Sequence, residues 1–195
     1  MASVKGGWRV GSLLRSQPIE AYGATALWFG PAGWVPNSAR LPALLYTRAI
    51  AGAECTADAY ERLLRGNGWL PQWRNGIYDY HHFHSTAHEV LGVASGSAQV
   101  RLGGPSGEAV AIAAGDCVFL PAGTGHCLLA ASPDLLVVGA YPPGQRWDLR
   151  RDALSLAEHA AMAALPDPAT DPVGGPRGAL LDQAALARHP ASKEV

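Results

Sequence analysis

Four of the seven histidines fall within eight residues, at His81, His82, His84 and His88. Imidazole is a common metal ligand, and so dense a cluster is the sharpest local feature of the sequence. Residues two apart on a β-strand point to the same face, so His82 and His84 project together while Phe83 packs on the opposite side. The spacing therefore predicts two ligands of a metal site, with His81 facing away as a surface or packing residue.

Glu89 and His126 are the candidates that complete the ligand set. Glu89 lies five residues after His84, the wrong parity for one uninterrupted strand, so we expect a turn or bulge over residues 85–87 to reset the chain direction. His126 follows a tight turn after the apolar run Cys117–Leu120. Three neutral imidazoles and one carboxylate suit Fe(II), Mn(II), Ni(II) or Zn(II). The alternative is a polar strand with an unrelated turn histidine.

Three further residues are candidates for catalytic roles beside these ligands. Tyr78 and Tyr80 share the parity of His82, so on an unbroken strand their rings would line the cavity, where a phenol can donate a hydrogen bond to a substrate. Barrel core with the hydroxyls satisfied at the rim is the equal alternative. His88 would orient a ligand or exchange protons if the preceding turn bends it inward. Otherwise His88 is, like His81, a surface or packing residue.

Short strands separated by turns are predicted to hold these residues. From Gly76 to about Tyr141, apolar or alternating runs are interrupted by glycine- and proline-containing turns, a pattern typical of a sandwich or barrel. Thr56 is the expected N-cap of one short helix over roughly residues 57–65.

The length predicts one domain with extensions. Residues 1–55 form a lead-in that packs on the barrel, residues 56–145 contain the helix and the barrel, and residues 146–195 form a helix and an irregular tail. We expect the last twenty residues to be loosely ordered.

The spacing of the ligand candidates resembles the first motif of the cupin superfamily at every defined position. That run reads Gly76-(five)-His82-x-His84-(four)-Glu89-(six)-Gly96. A second run resembles the second motif and reads Gly115-(five)-Pro121-x-Gly123-x-x-His126. Ala130 stands where the family usually has Asn, a departure that removes a structural side chain and leaves the ligands intact. The flanking segments look like those of bacterial single-domain cupins without an assigned reaction.

The resemblance implies an all-β core, a double-stranded β-helix or jelly-roll barrel. One metal ion would lie inside it, held by His82, His84, Glu89 and His126. Lead-in strands and one short helix would precede the barrel, and a helical or irregular extension would follow it. A homodimer is expected by analogy with the family and from the Trp and Pro content outside the motifs.

Charge and hydropathy exclude several classes of partner. The chain has 15 basic and 16 acidic residues, and no run of Lys or Arg suits nucleic acid or an anionic membrane. No stretch of about 18 apolar residues could span a bilayer, and residues 1–8 lack an apolar signal core. We therefore expect a cytoplasmic protein whose partner is a small-molecule substrate or ligand.

Two classes of function fit these residues. The first is a metal-dependent enzyme acting on a small molecule inside the barrel, with Fe(II) favoured as the ion and oxidation or dioxygenation as the reaction. An isomerase or lyase would use the same ion as a Lewis acid. The second is a non-catalytic binding or sensor protein in which a structural ion pins the strands together. One fold hosts many reactions, so the ligand set alone does not decide between them.

Overall fold

Two antiparallel sheets form the core of the protein. The computed structural model describes residues 17–19 and 23–182. The strands in this part of the chain are β1 (Gln17–Ile19), β2 (Ala24–Leu27), β3 (Ala43–Tyr46), β4 (Leu70–Asn75), β5 (Glu89–Ser95), β6 (Ser97–Leu102), β7 (Glu108–Ala113), β8 (Cys117–Leu120), β9 (His126–Ala131) and β10 (Leu136–Tyr141). The larger sheet has the order β1-β2-β3-β8-β5-β10-β4, and the smaller has the order β7-β6-β9.

The barrel interior is the apolar layer between the two sheets. In β6, Ala98, Val100 and Leu102 are buried and alternate with more exposed residues, as expected for a strand with one face on a core. They share one cluster with Leu91 and Val93 of β5. Neighbours such as β5 and β10 are distant in sequence, because the chain crosses repeatedly between the sheets. The fold is thus the cupin-type jelly-roll barrel that the motifs imply.

Helix α1 (Ala57–Gly66) covers the outer face of the larger sheet. The side chain of Thr56 accepts a hydrogen bond from the amide of Ala59 at 3.1 Å, so the predicted N-cap is confirmed. Tyr60 and Leu64 are fully buried, and each such side chain contributes about 1.5–3 kcal/mol. A β-carbon on Gly92 would lie only 2.3 Å from the ring of Tyr60. Glycine in β5 is therefore what lets the helix approach the sheet this closely.

The C-terminal extension folds back onto the larger sheet. It contains helix α2 (Leu156–Ala163), which a capping box between Ser155 and Glu158 starts. Beyond α2, Asp171 is fully buried. Its carboxylate accepts hydrogen bonds from the hydroxyl of Tyr46 and from the amides of Val173, Gly174 and Leu180. The expectation of loose order is therefore wrong for residues 176–182, because this one carboxylate organises a segment whose Gly and Pro content suggested none.

The lead-in contributes strands β1 to β3 to one side of the larger sheet. β2 pairs with β3, and β3 pairs with β8 of the barrel, so the lead-in extends the barrel wall. Residues 1–8, expected to lack a signal segment, and residues 183–195, expected to be loosely ordered, lie outside the described residues. None of the helices in the described part of the chain has the length and apolar character needed to cross a bilayer.

Candidate metal centre

His82 and His84 project to one side of a short extended segment at the barrel wall. The backbone of His82 exchanges two hydrogen bonds with that of His126, at 3.1 and 2.9 Å, and so joins this segment to β9. Phe83 points the other way, is fully buried and packs on Trp34 with ring centroids 5.8 Å apart. The predicted alternation therefore holds here. The condition set for Tyr78 and Tyr80, one unbroken strand through His82, is not met, because residues 76–81 form no regular ladder.

The turn after His84 is fixed by a residue that the sequence did not single out, Asp148. Its carboxylate accepts hydrogen bonds from the amide and the hydroxyl of Ser85, at 2.6 and 2.5 Å, and from the amide of Thr86 at 3.2 Å. Its backbone carbonyl holds Nδ1 of His84. The turn expected over 85–87 is thus present, and it delivers Glu89 to the inner face at the start of β5.

All three histidines are oriented through Nδ1. Nδ1 of His82 lies 3.0 Å from the carbonyl of Tyr80, Nδ1 of His126 lies 3.2 Å from that of Thr124, and Nδ1 of His84 meets that of Asp148. A carbonyl only accepts hydrogen bonds, so each Nδ1 carries the hydrogen and each Nε2 is left as a ligand atom. Each ring offers a nitrogen within 4.8 Å of those of the other two.

Glu89 supplies a negative charge to the same point. Its Oε2 lies 3.3 Å from Nε2 of both His84 and His126, and this buried oxygen has no hydrogen-bond partner among the described residues. Burial alone would lower the pKa of His84, but the carboxylate outweighs it and raises that pKa to about 9. The centre therefore attracts positive charge, and three imidazoles with an unpartnered buried carboxylate oxygen fit a divalent metal ion.

Tyr141 anchors the other oxygen of Glu89 and was not predicted from the sequence. Its hydroxyl donates to Oε1 at 2.6 Å and accepts from the indole of Trp73 at 2.8 Å. The close approach of that indole to β10 depends on Gly139, since a β-carbon there would lie 1.9 Å from the ring of Trp73. Only the pairing of β5 with β10 reveals this contact, and the sequence alone does not give that pairing.

A cavity of about 170 Å³ opens beside these residues. Its described lining comprises Trp73, Asn75, Gly76, Ile77, Tyr78, His82, His84, Glu89, Leu91, His126, Tyr141 and Trp147. The rings of Tyr141 and Trp147 are stacked, with centroids 5.9 Å apart and planes at 18°. Trp147 also lies edge-on to His84, at 5.6 Å. The candidate ligands thus meet a space walled largely by aromatic rings.

The two predicted tyrosines occupy different places. Tyr78 lines the cavity at its mouth, 48% exposed, with its ring 5.3 Å from that of His82. Tyr80 stacks on Tyr78 at 4.9 Å, below the guanidinium of Arg151 at 4.3 Å, and its ring lies edge-on to that of His82 at 5.6 Å. It is not part of the described lining, and it meets the centre through this ring contact and through the carbonyl that orients His82.

His88 faces away from the candidate centre. Its Nδ1 accepts a hydrogen bond from the amide of Ala122 at 3.0 Å, and its Nε2 lies 3.3 Å from the carbonyl of Pro166. Burial lowers its pKa to about 4. It borders a separate cavity of about 560 Å³ beside α2. The turn does not bend it inward, so the catalytic role predicted for His88 has no support in this geometry.

No family model matches the chain. Among curated proteins, the chain is similar to the uncharacterized protein YjlB of Bacillus subtilis (strain 168). The two are 36% identical over 162 residues, which cover 80% of this chain and 93% of the relative.

Solved structures show weaker likenesses. Procruciferin, an 11S globulin from Brassica napus, has a TM-score of 0.34 and 15% identity over 77% of this chain. An oxalate decarboxylase has a TM-score of 0.31 and 18% identity over 80%, and RmlC from Streptococcus suis has 0.26 and 17% over 75%. The chain spans 38%, 33% and 74% of their respective lengths. Scores this low carry neither ligand nor reaction to this protein.

Proposed function

Since this chain belongs to the family of the uncharacterized Bacillus subtilis protein YjlB, we propose its function from the chemistry of its own centre. We propose that His82, His84, Glu89 and His126 bind one divalent metal ion, with Fe(II) favoured and Mn(II), Ni(II) or Zn(II) able to replace it. The protein then acts as a metal-dependent enzyme on a small molecule in the adjacent cavity.

One observation carries this proposal, the convergence of uncommitted ligand atoms in a buried place. Each of the three imidazoles donates a hydrogen bond from Nδ1 to a backbone carbonyl, and their other ring nitrogens face one another. The Oε2 atom of Glu89 lies among them, buried and without a hydrogen-bond partner in the described residues. A carboxylate so placed needs a positive charge beside it. Without a metal ion, protonation of His84 supplies that charge, and a divalent ion in contact with all four groups would supply it more strongly.

Oxidation or dioxygenation, with dioxygen as the oxidant, is the reaction we favour. The ion, when bound, supplies Lewis acidity and, as Fe(II), redox chemistry. The protein's part is to position and to exclude water. Tyr141 fixes the carboxylate of Glu89, Tyr78 offers a hydroxyl at the mouth of the cavity, and Trp147 shields His84 from solvent. An isomerase or lyase would use the same positions.

Metal analysis and oxygen uptake test the proposal in two steps. Protein made under low-oxygen, iron-replete conditions should contain about one iron per chain, and H126A made in parallel should contain much less after both are dialysed against a chelator. Oxygen consumption with candidate small molecules should then depend on that iron. Equal metal content in the two proteins would overturn the proposed centre, and equal oxygen uptake would overturn the oxidative reaction.

A non-catalytic role is the second candidate, and the placement of the ligands favours it specifically. Glu89 lies on β5 of the larger sheet and His126 on β9 of the smaller one, so an ion bound by both would tie the sheets together. A structural ion should be lost together with much of the thermal stability. A large fall in Tm on chelation, without turnover of any substrate, would favour this binding or sensor protein.

We also propose that the protein is a cytoplasmic homodimer. Helix α2 supports self-association, since Leu156 on it is 90% exposed and the helix buries no residue. Light scattering coupled to size exclusion should give twice the mass of the chain, and a monomer would contradict the proposal.

A further inference from the structure

The cavity beside the candidate ligands has the size of one ring. Its volume is about 170 Å³, and an apolar cavity of about 150 Å³ in another protein accommodates benzene. The parallel rings of Tyr141 and Trp147 give part of the lining a flat face. Ile77 and Leu91 add aliphatic surface. These walls favour a planar, largely apolar molecule with a few small substituents.

The same cavity lacks a partner for an anionic substituent. Among its described lining residues, none is Lys or Arg, and Glu89 is the one acidic residue. The guanidinium groups of Arg150 and Arg151 lie outside this lining. Arg150 pairs with Asp152 and Glu158, and Arg151 lies over Tyr80, outside the described lining.

Apart from the candidate ligands, the polar side chains in the described lining are uncharged. Tyr78 and Asn75 lie in its lining and are exposed to solvent, so they can hydrogen-bond a neutral substituent near the mouth. A carboxylate or phosphate on the ring would instead lie near the carboxylate of Glu89 and the aromatic walls, with no Lys or Arg in the described lining to compensate it. Even partial desolvation of such a charge is unfavourable.

We infer that the cavity takes an uncharged, single-ring aromatic compound whose hydroxyl oxygens reach the candidate metal centre, and that it rejects ring analogues bearing a carboxylate or phosphate. This inference rests on the proposed function, because the metal ion is the attachment point. The aromatic and aliphatic walls favour a ring. The lack of Lys and Arg in the described lining disfavours an anionic substituent on that ring.

Binding of three matched probes to the Zn(II)-loaded protein tests the inference without turnover. The probes are catechol, 3,4-dihydroxybenzamide and 3,4-dihydroxybenzoate, which share the chelating diol, while the last two differ in charge at nearly constant shape. Titration calorimetry should give similar dissociation constants for catechol and the amide. The carboxylate should bind at least about 30-fold more weakly, as expected for a partly desolvated charge without a cationic partner. The affinity of each diol for free Zn(II) provides the correction for chelation itself.

A variant with a positive charge at the mouth of the cavity provides a second test. N75K places an ammonium group beside the cavity at an exposed position of β4, and N75Q is its neutral control. The preference for the amide over the carboxylate should shrink by about tenfold in N75K, the size of a single partly desolvated ion pair. It should stay unchanged in N75Q, with circular dichroism reporting the fold of both.

The outcomes separate this inference from the proposed function. If Zn(II) loads at one ion per chain but no probe binds, or the carboxylate binds as tightly as the amide, the substrate class is overturned and the metal centre stands. If Zn(II) does not load, both are overturned. Tight binding of catechol and the amide, with the carboxylate excluded, supports both.

Discussion

The candidate metal centre and the pocket around His88 are two histidine-bearing regions with opposite hydrogen-bond patterns. At the centre, each histidine donates a hydrogen bond from Nδ1 to a backbone carbonyl and directs its other nitrogen toward the neighbouring rings; the three are His82, His84 and His126. At His88, one nitrogen accepts from the amide of Ala122 and the other meets the carbonyl of Pro166. The candidate metal centre therefore keeps ring nitrogens that can bind an ion, and the pocket around His88 keeps none.

Burial alone therefore does not identify a functional histidine. All four side chains are buried, between 2% and 6% exposed. What separates them is the number of ring nitrogens that the backbone leaves available, and the presence beside those nitrogens of the Glu89 carboxylate oxygen, which has no hydrogen-bond partner among the described residues. The comparison predicts that substitutions in one region change metal affinity and that substitutions in the other change stability.

The largest expected effect is on metal affinity in H126A. A tightly held structural zinc ion contributes about 10–16 kcal/mol in small proteins. One ligand of four then accounts for about 3 kcal/mol, which corresponds to roughly 100-fold in affinity. Competition against a chromophoric chelator measures the dissociation constants of both proteins. Affinities within threefold of each other would remove His126 from the centre.

A smaller loss of affinity is expected in Y141F. This change deletes the 2.6 Å hydrogen bond to Oε1 of Glu89 while keeping the ring, and loss of a group that orients a ligand costs about 10–100-fold in metal affinity. The matched control is Y46F, which deletes another buried tyrosine–carboxylate hydrogen bond, to Asp171. Y46F should lose stability and keep its metal affinity. Equal effects of the two variants on affinity would show that Tyr141 acts only through the fold.

The smallest effect on affinity is expected in H88A, which should bind metal as the wild type does. Its loss leaves the buried amide of Ala122 without an acceptor, at a cost of about 1–3 kcal/mol in the free energy of unfolding. Urea denaturation of the chelator-treated proteins measures this cost apart from any bound ion. A metal affinity lowered tenfold would return His88 to the centre and erase the contrast between the regions.

Much of the barrel and the grouping of its histidines follow from the sequence, since strand parity and motif spacing are local properties. His82 and His84 share a face for this reason. Within residues 82–84, β-bridges to other segments are formed by His82 and Phe83 and not by His84. An inward role for His88 depends on how the turn over residues 85–87 bends, which the sequence does not fix. In the structure Glu89 begins β5 facing the interior, and the adjacent His88 faces the opposite way.

The remaining parts of the site depend on contacts between distant segments. Asp148 shapes the turn before Glu89 from 63 residues away, and Tyr141 reaches Glu89 from a strand 52 residues on. Neither residue belongs to a motif or a composition bias. Each becomes visible only once the order of strands in the larger sheet is known, because that order decides which side chains share the interior face.

Anomalous diffraction from crystals of the iron- or zinc-loaded protein locates the bound ion among the proposed ligands. We expect one peak per chain, about 2.0–2.2 Å from Nε2 of each of the three histidines and from Oε2 of Glu89. Crystals of H126A soaked in the same metal and a competing chelator should show a much weaker peak than wild-type crystals treated alike. A fully occupied peak elsewhere in the wild type, or no peak after loading, would contradict the proposed centre.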